Sequence, residues 1–159
     1  MADVLLVLLL ASAFAVVIIA VSVLVVVPAI VRWQYGVQAP STEFKAVDGS
    51  EGAGSSDLRY FILSYDCRQQ DLKISGELPN APHWQIGLFD GNMRLVDGGY
   101  VNHRTAMIRG DRFEVVVSKA PGRGDNSISC AASPKGLLIY RVLCPRSDVP
   151  LPTVEKIPA

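Results

Sequence analysis

The sequence predicts a chain of two classes: a single N-terminal transmembrane α-helix followed by an all-β domain, an antiparallel β-sandwich or jelly roll. Three observations predict it. Val4 to Val31 carries no charge, and only Ser12, Ser22 and Pro28 interrupt its Val, Leu, Ile, Ala and Phe. A Gly/Ser-dense stretch follows between Gln34 and Asp57. From Leu58 onward short β-rich runs alternate with turn-forming residues, and no run has a sustained helical period.

At ~1.5 Å per residue, a helix over Val4 to Val31 covers ~40 Å, more than a hydrocarbon core of ~30 Å. A soluble amphipathic helix would show a polar face, and this run shows none. A cleaved signal peptide would open with basic residues and a short apolar stretch. Here Met1, Ala2 and Asp3 precede a run too long for that role, although Val27-Pro28-Ala29 resembles a cleavage site. The reading is therefore a retained anchor over residues 1–33. Arg32, Trp33 and Tyr35 stand where the helix leaves the bilayer, as interfacial side chains do. Pro28 falls in its last turns, where a missing N–H loosens the helix. Lateral packing in lipid depends on small residues, and Ala11, Ser12 and Ala15 supply such a surface. The implied partners are the lipid bilayer and other integral membrane subunits.

Residues 34–57 read as a flexible linker, because Asp48-Gly49-Ser50-Glu51-Gly52-Ala53-Gly54-Ser55-Ser56 resists packing. Residues 58–145 read as the sandwich, about the length of one domain with a real core. Arg59 to Tyr65 is a β-rich run; Leu72 to Leu78 and Trp84 to Leu88 alternate. Asp90-Gly91-Asn92 turns the chain into Met93 to Val96, and Gly98-Gly99 breaks it before Tyr100-Val101. Thr105 to Ile108, Phe113 to Ser118, Ser127 to Cys130 and Leu137 to Cys144 complete the expected strands. The predicted core is Phe61, Leu63, Trp84, Ile86, Leu88, Phe113, Val115, Val117, Leu138 and Tyr140. Residues 146–159 read as a Pro-rich extended tail.

Chemistry is sparse. Fifteen basic residues balance fifteen acidic ones, which gives no electrostatic footprint for nucleic acid. His83 and His103 lie twenty residues apart with no metal-ligand spacing around them. No nucleophile elbow, carboxylate pair or phosphate loop stands in the required context. The expectation is therefore no catalytic residue, no cofactor and no metal. Arg-Gly-Asp occurs twice, at Arg109 to Asp111 and Arg123 to Asp125, and each reads as hairpin-loop composition. Trp84, Tyr100 and Tyr140 suit a ligand groove or, more commonly, a sandwich core. Cys67, Cys130 and Cys144 form no C-x-x-C; Cys130 and Cys144, flanking the Pro134-Lys135-Gly136 turn, are the candidate disulfide if strand register permits.

The segment from Asn126 to Pro145 resembles the closing block of the family called domain of unknown function 1214. That block runs Asn-Trp-Leu-Pro-Ala-Pro, then Lys-Gly, a strand with a central Arg and a terminal Pro. Here Lys135-Gly136, Arg141 and Pro145 match, while Ser127 and Ser129 replace the Trp and first Pro. Arg59-Tyr60-Phe61 and Trp84 to Asp90 are similar to the companion family 1254. The resemblance implies an exported β-sandwich with no catalytic residue to carry over. Arg32 and Lys45 favour a cytoplasmic domain by charge; the resemblance favours the periplasmic side of a bacterial inner membrane. Three functions are compatible with this reading: a non-catalytic accessory or scaffold subunit of a membrane complex, a membrane-tethered small-ligand or glycan binding module, and an enzyme of unrecognised type.

Overall fold

The computed structural model describes residues 39–47, 57–120 and 122–159, together with isolated positions 18, 19, 22 and 25. The chain divides into units at 1–36 and 37–159, and the second is all-β.

Among the described residues ten strands follow in order: β1 (Lys45–Val47), β2 (Leu58–Asp66), β3 (Gln70–Glu77), β4 (His83–Phe89), β5 (Leu95–Asn102), β6 (Ile108–Arg109), β7 (Arg112–Ser118), β8 (Ser127–Ser129), β9 (Lys135–Leu143) and β10 (Thr153–Pro158). One sheet has the order β1-β2-β9-β4-β5, and the other β10-β3-β7-β6, with β8 also paired to β7. Every pairing is antiparallel except β7–β8. The parallel pair arises because the 119–126 crossing returns the chain to the start of β8 alongside Val116.

The two sheets face each other across one core. Period-2 alternation sends Phe61, Leu63 and Tyr65 of β2, Trp84, Ile86 and Leu88 of β4, and Leu138, Tyr140 and Val142 of β9 inward from the first sheet. Leu72 and Ile74 of β3, with Phe113, Val115 and Val117 of β7, meet them from the second. Trp84 stacks on Phe113 across the interface at 4.8 Å between ring centroids. Tyr140 packs against Phe61 at 5.7 Å and Phe44 at 6.2 Å. All ten residues expected in the core are buried. Gly136 is required where β9 starts, because a Cβ there would run into the Phe89 carbonyl.

Part of the expected architecture is corrected. A transmembrane helix ahead of the sandwich does not appear: no helix among the described residues is long and apolar enough to cross a membrane. The expected anchor over 1–33, its packing residues Ala11, Ser12 and Ala15 and its interfacial Arg32, Trp33 and Tyr35 lie outside the described residues. An uncharged run records avoidance of water, which does not by itself dictate a helix.

The sandwich also reaches beyond its expected limits. β1 lies inside the stretch read as linker, and Ser41 N–H donates to the Ser64 carbonyl at 2.9 Å. β10 lies in the stretch read as a tail, pairing with β3 from Thr153↔Ser75 to Pro158↔Gln70. Both are edge strands, where a charged or proline-bearing sequence is tolerated because one side of the ladder stays unpaired.

Candidate functional site

The outward faces of the two sheets differ in chemistry. β3, β7 and β10 turn Lys73, Ser75, Glu77, Arg112, Glu114 and Glu155 outward. Lys73 pairs with Glu155 at 3.0 Å and Arg112 with Glu77 at 3.8 Å. That is the expected solvated side of an antiparallel sheet.

The five-stranded sheet does not follow that rule. Its cross-strand register places Lys45, Ile62, Ile139, Gly87 and Tyr100 in one outward row. The next row holds Val47, Tyr60, Arg141, Gln85 and Asn102, and a third holds Leu58, Leu143 and His83. Leu137 and Ile139 are buried although they stand outside the inter-sheet core. Tyr100 and Leu95 remain 45% exposed and Leu143 38%. Gly87 carries no side chain in the middle of this face, and the space beside it is taken by Phe89, Leu95 and Gln85.

Polar groups are set into this apolar face at fixed positions. Arg141 lies over the Tyr60 ring, 5.4 Å from its centroid, a cation–π distance. His83 and His103 meet edge to face at 4.4 Å where β4 begins and β5 ends. His103 is anchored by its N–H to the Trp84 carbonyl at 3.1 Å. Its Nδ1 is buried without a hydrogen-bond partner. Burial lowers the His83 pKa, and His103, Arg141 and Arg104 push it in the same direction. Arg141, in the middle of the Val47–Tyr60–Arg141–Gln85–Asn102 row, is the central cation of this face.

The aromatic trio named from the sequence is split. Trp84 and Tyr140 are core residues, and Tyr100 stands on the exposed face. A cleft of about 410 Å³ opens on the other sheet, lined by Ser75, Arg109, Arg112, Glu114, Asp125 and Asn126 among others. Within it Arg109 bonds Asp125 at 2.5 Å, which ties the first Arg-Gly-Asp to the second, while Arg112 pairs with Glu77 outside it. Asn126 is buried and fully engaged, donating to the Met107 and Glu114 carbonyls at 2.8 Å and accepting from Met107 N–H at 2.6 Å. Both Arg-Gly-Asp stretches thus serve the loop architecture. Among the described residues no three His, Cys, Asp or Glu side chains converge as a metal site.

The candidate pair Cys130 and Cys144 is held at opposite ends of β9. Nine residues of strand span ~30 Å, several times the separation a disulfide bridges. The thiol that interacts with Cys130 is that of Cys67, buried in the same core. That interaction and burial hold the Cys67 thiol far above its ordinary pKa. Cys144 is exposed, and its N–H donates to the Asp57 carbonyl at 2.5 Å.

No family model and no curated protein matches the chain. A solved structure described as a putative uncharacterized protein from Burkholderia cenocepacia is similar in fold, with a TM-score of 0.64 at 19% identity. The likeness covers 72% of this chain and 35% of that one, so this chain spans about a third of its neighbour's length. It supports the all-β architecture.

Proposed function

We propose that residues 39–159 form a non-catalytic interaction domain, an accessory or scaffold subunit whose protein partner seats on the outward face of the five-stranded sheet. The observation that carries this reading is the asymmetry between the two sheets. Both have their inner faces on the same core, so both outer faces should turn polar. One is mainly charged, with Lys73 paired to Glu155 and Arg112 to Glu77 around the single buried Val116. The other presents Leu58, Tyr60, Ile62, Leu95, Tyr100 and Leu143 around Arg141.

The scale and composition suit a protein surface. Five strands at ~4.8 Å spacing and about seven residues at ~3.3 Å give a projected area on the order of 500 Å². One partner's share of a standard interface is ~800 Å², which side-chain relief and the strand ends supply. Tyr and Arg are the residues that most often dominate binding energy, and leucines with a polar border exclude water around them. Arg141, already seated over the Tyr60 ring, is placed to meet a carboxylate or carbonyl of the partner at reduced cost in side-chain entropy.

A photo-crosslinking amino acid placed at Tyr100 of the full chain, and in a second protein at Glu155, tests this in cells producing the chain. The expected result is a discrete protein adduct from position 100 and none from position 155. Adducts from position 155 alone, or from neither, would overturn it.

A further inference from the structure

We propose that Cys67 and Cys130 are the two ends of an inter-sheet disulfide that staples the sandwich. Cys67 directly follows the last residue of β2 in the five-stranded sheet, and Cys130 directly follows the last residue of β8 in the opposite sheet. Both side chains belong to the single core cluster, at 1% and 0% exposure. The backbone around them is tied on three sides. Cys67 N–H donates to the Pro134 carbonyl at 2.8 Å, Cys130 N–H to the Ser118 carbonyl at 2.9 Å, and Ser133 N–H to the Cys130 carbonyl at 3.2 Å. The turn from Cys130 to Ser133 is thereby laid along Cys67, and the Tyr65 hydroxyl closes it with a 2.6 Å bond to the Ser133 carbonyl. Both thiols, free in this structure, are buried in the same core beside that turn. The bridge forms when the two sulfurs come to the ~2.05 Å of a disulfide from turns already tied together by backbone hydrogen bonds.

A small disulfide such as glutathione disulfide is a sufficient oxidant. The Cys130 thiolate attacks one sulfur of that disulfide, its S–S bond breaks, and the released thiolate takes up a proton. The Cys67 thiolate then attacks the Cys130 sulfur of the mixed disulfide and expels the second small thiol. Two protein thiols give up two electrons and two protons in total, and one small disulfide becomes two thiols. Because both sulfurs are sealed from solvent in the closed sandwich, attack takes place before the sheets close or while the three-residue β8 is open. The bridge closes a loop of about 60 residues, a length at which cross-linking strongly restricts the unfolded chain. All three cysteines are free thiols in this structure, and the bridge would leave Cys144, exposed at the far end of β9, as the one that stays free.

The test is refolding of the full chain in a glutathione redox buffer, followed by alkylation in denaturant and peptide mapping. The expected result is one alkylated cysteine, Cys144, and a single cross-linked peptide pair containing Cys67 and Cys130. The oxidised protein should melt roughly 10 °C or more above the reduced one. In a Cys144→Ser background the oxidised chain should show no free thiol, and adding Cys67→Ser should abolish the thermal gain. Three alkylated cysteines in the refolded wild type, or a bridge to Cys144, would overturn the proposal.

Discussion

The Arg123 guanidinium donates to the Asp71 carboxylate at 2.5 Å, joining the loop before β8 to the buried start of β3. The same Nη1 donates to the Pro158 carbonyl at 2.8 Å, so one side chain fastens that loop, β3 and the end of β10. Asp71 is 1% exposed, and a buried carboxylate stripped of its cation keeps its full desolvation cost. Arg123 is itself partly solvated, which reduces the value of the pair. We expect Arg123→Ala to destabilise the domain by about 2–3 kcal/mol, and Arg123→Ala with Asp71→Asn to recover part of that loss. Urea denaturation of the three proteins checks both statements.

The Tyr140 hydroxyl is buried among aromatic rings without a hydrogen-bond partner. Burial raises its pKa, which follows from an oxygen with nothing to solvate a charge. An unpaired buried hydroxyl carries a cost that the isosteric ring without it does not. Tyr140→Phe should therefore leave stability unchanged or raise it by about 1 kcal/mol, against the destabilisation usual for core substitutions. Thermal unfolding of the variant measures the sign.

His83 supplies a pH dependence of definite sign. Its folded pKa lies below the ordinary ~6.5, first through burial, and then through the His103, Arg141 and Arg104 groups around it. On acidification the unfolded chain takes up this proton before the folded one does. The stability contribution is complete above the unfolded value and is lost as pH falls through ~6.5 toward the folded value. We expect the midpoint of denaturation to fall between pH 7 and pH 5, and His83→Gln to flatten that part of the profile.

How much of this was legible in the sequence follows from what each strand's pattern encodes. Trp84, Ile86 and Leu88 alternate with His83, Gln85 and Gly87, and a period of two tells which side meets a core without knowledge of the partner sheet. β7 declared Phe113, Val115 and Val117 in the same way. The short edges were silent: β1 has Lys45, Ala46 and Val47, and β10 has only Val154 and Ile157 between charges and prolines. Such segments become strands because a neighbour offers open hydrogen bonds, which is tertiary information.

The candidate surface has its own mark in the sequence. Phe61-Ile62-Leu63 and Leu137-Leu138-Ile139-Tyr140 are unbroken apolar runs, not alternating ones. A strand apolar on both sides has both sides covered, or one side awaiting cover. The Cys67–Cys130 proximity left no signal, because sixty-odd residues separate the two and only the closing of β2 and β8 onto one core brings them together.

The central claim is that the outward face of the five-stranded sheet holds a protein partner. Its most direct measurement is the amount of the crosslink-identified partner that co-purifies with the full chain carrying Tyr100→Asp and Leu143→Asp, against one carrying Glu114→Arg and Glu155→Arg on the opposite sheet. Both pairs change exposed positions, so circular dichroism of each should match the parent chain. We predict at least a tenfold loss of partner with the first pair, as about 1.4 kcal/mol lost from an apolar contact suffices, and retention with the second. Equal retention by both variants, or selective loss with the second, would contradict the account.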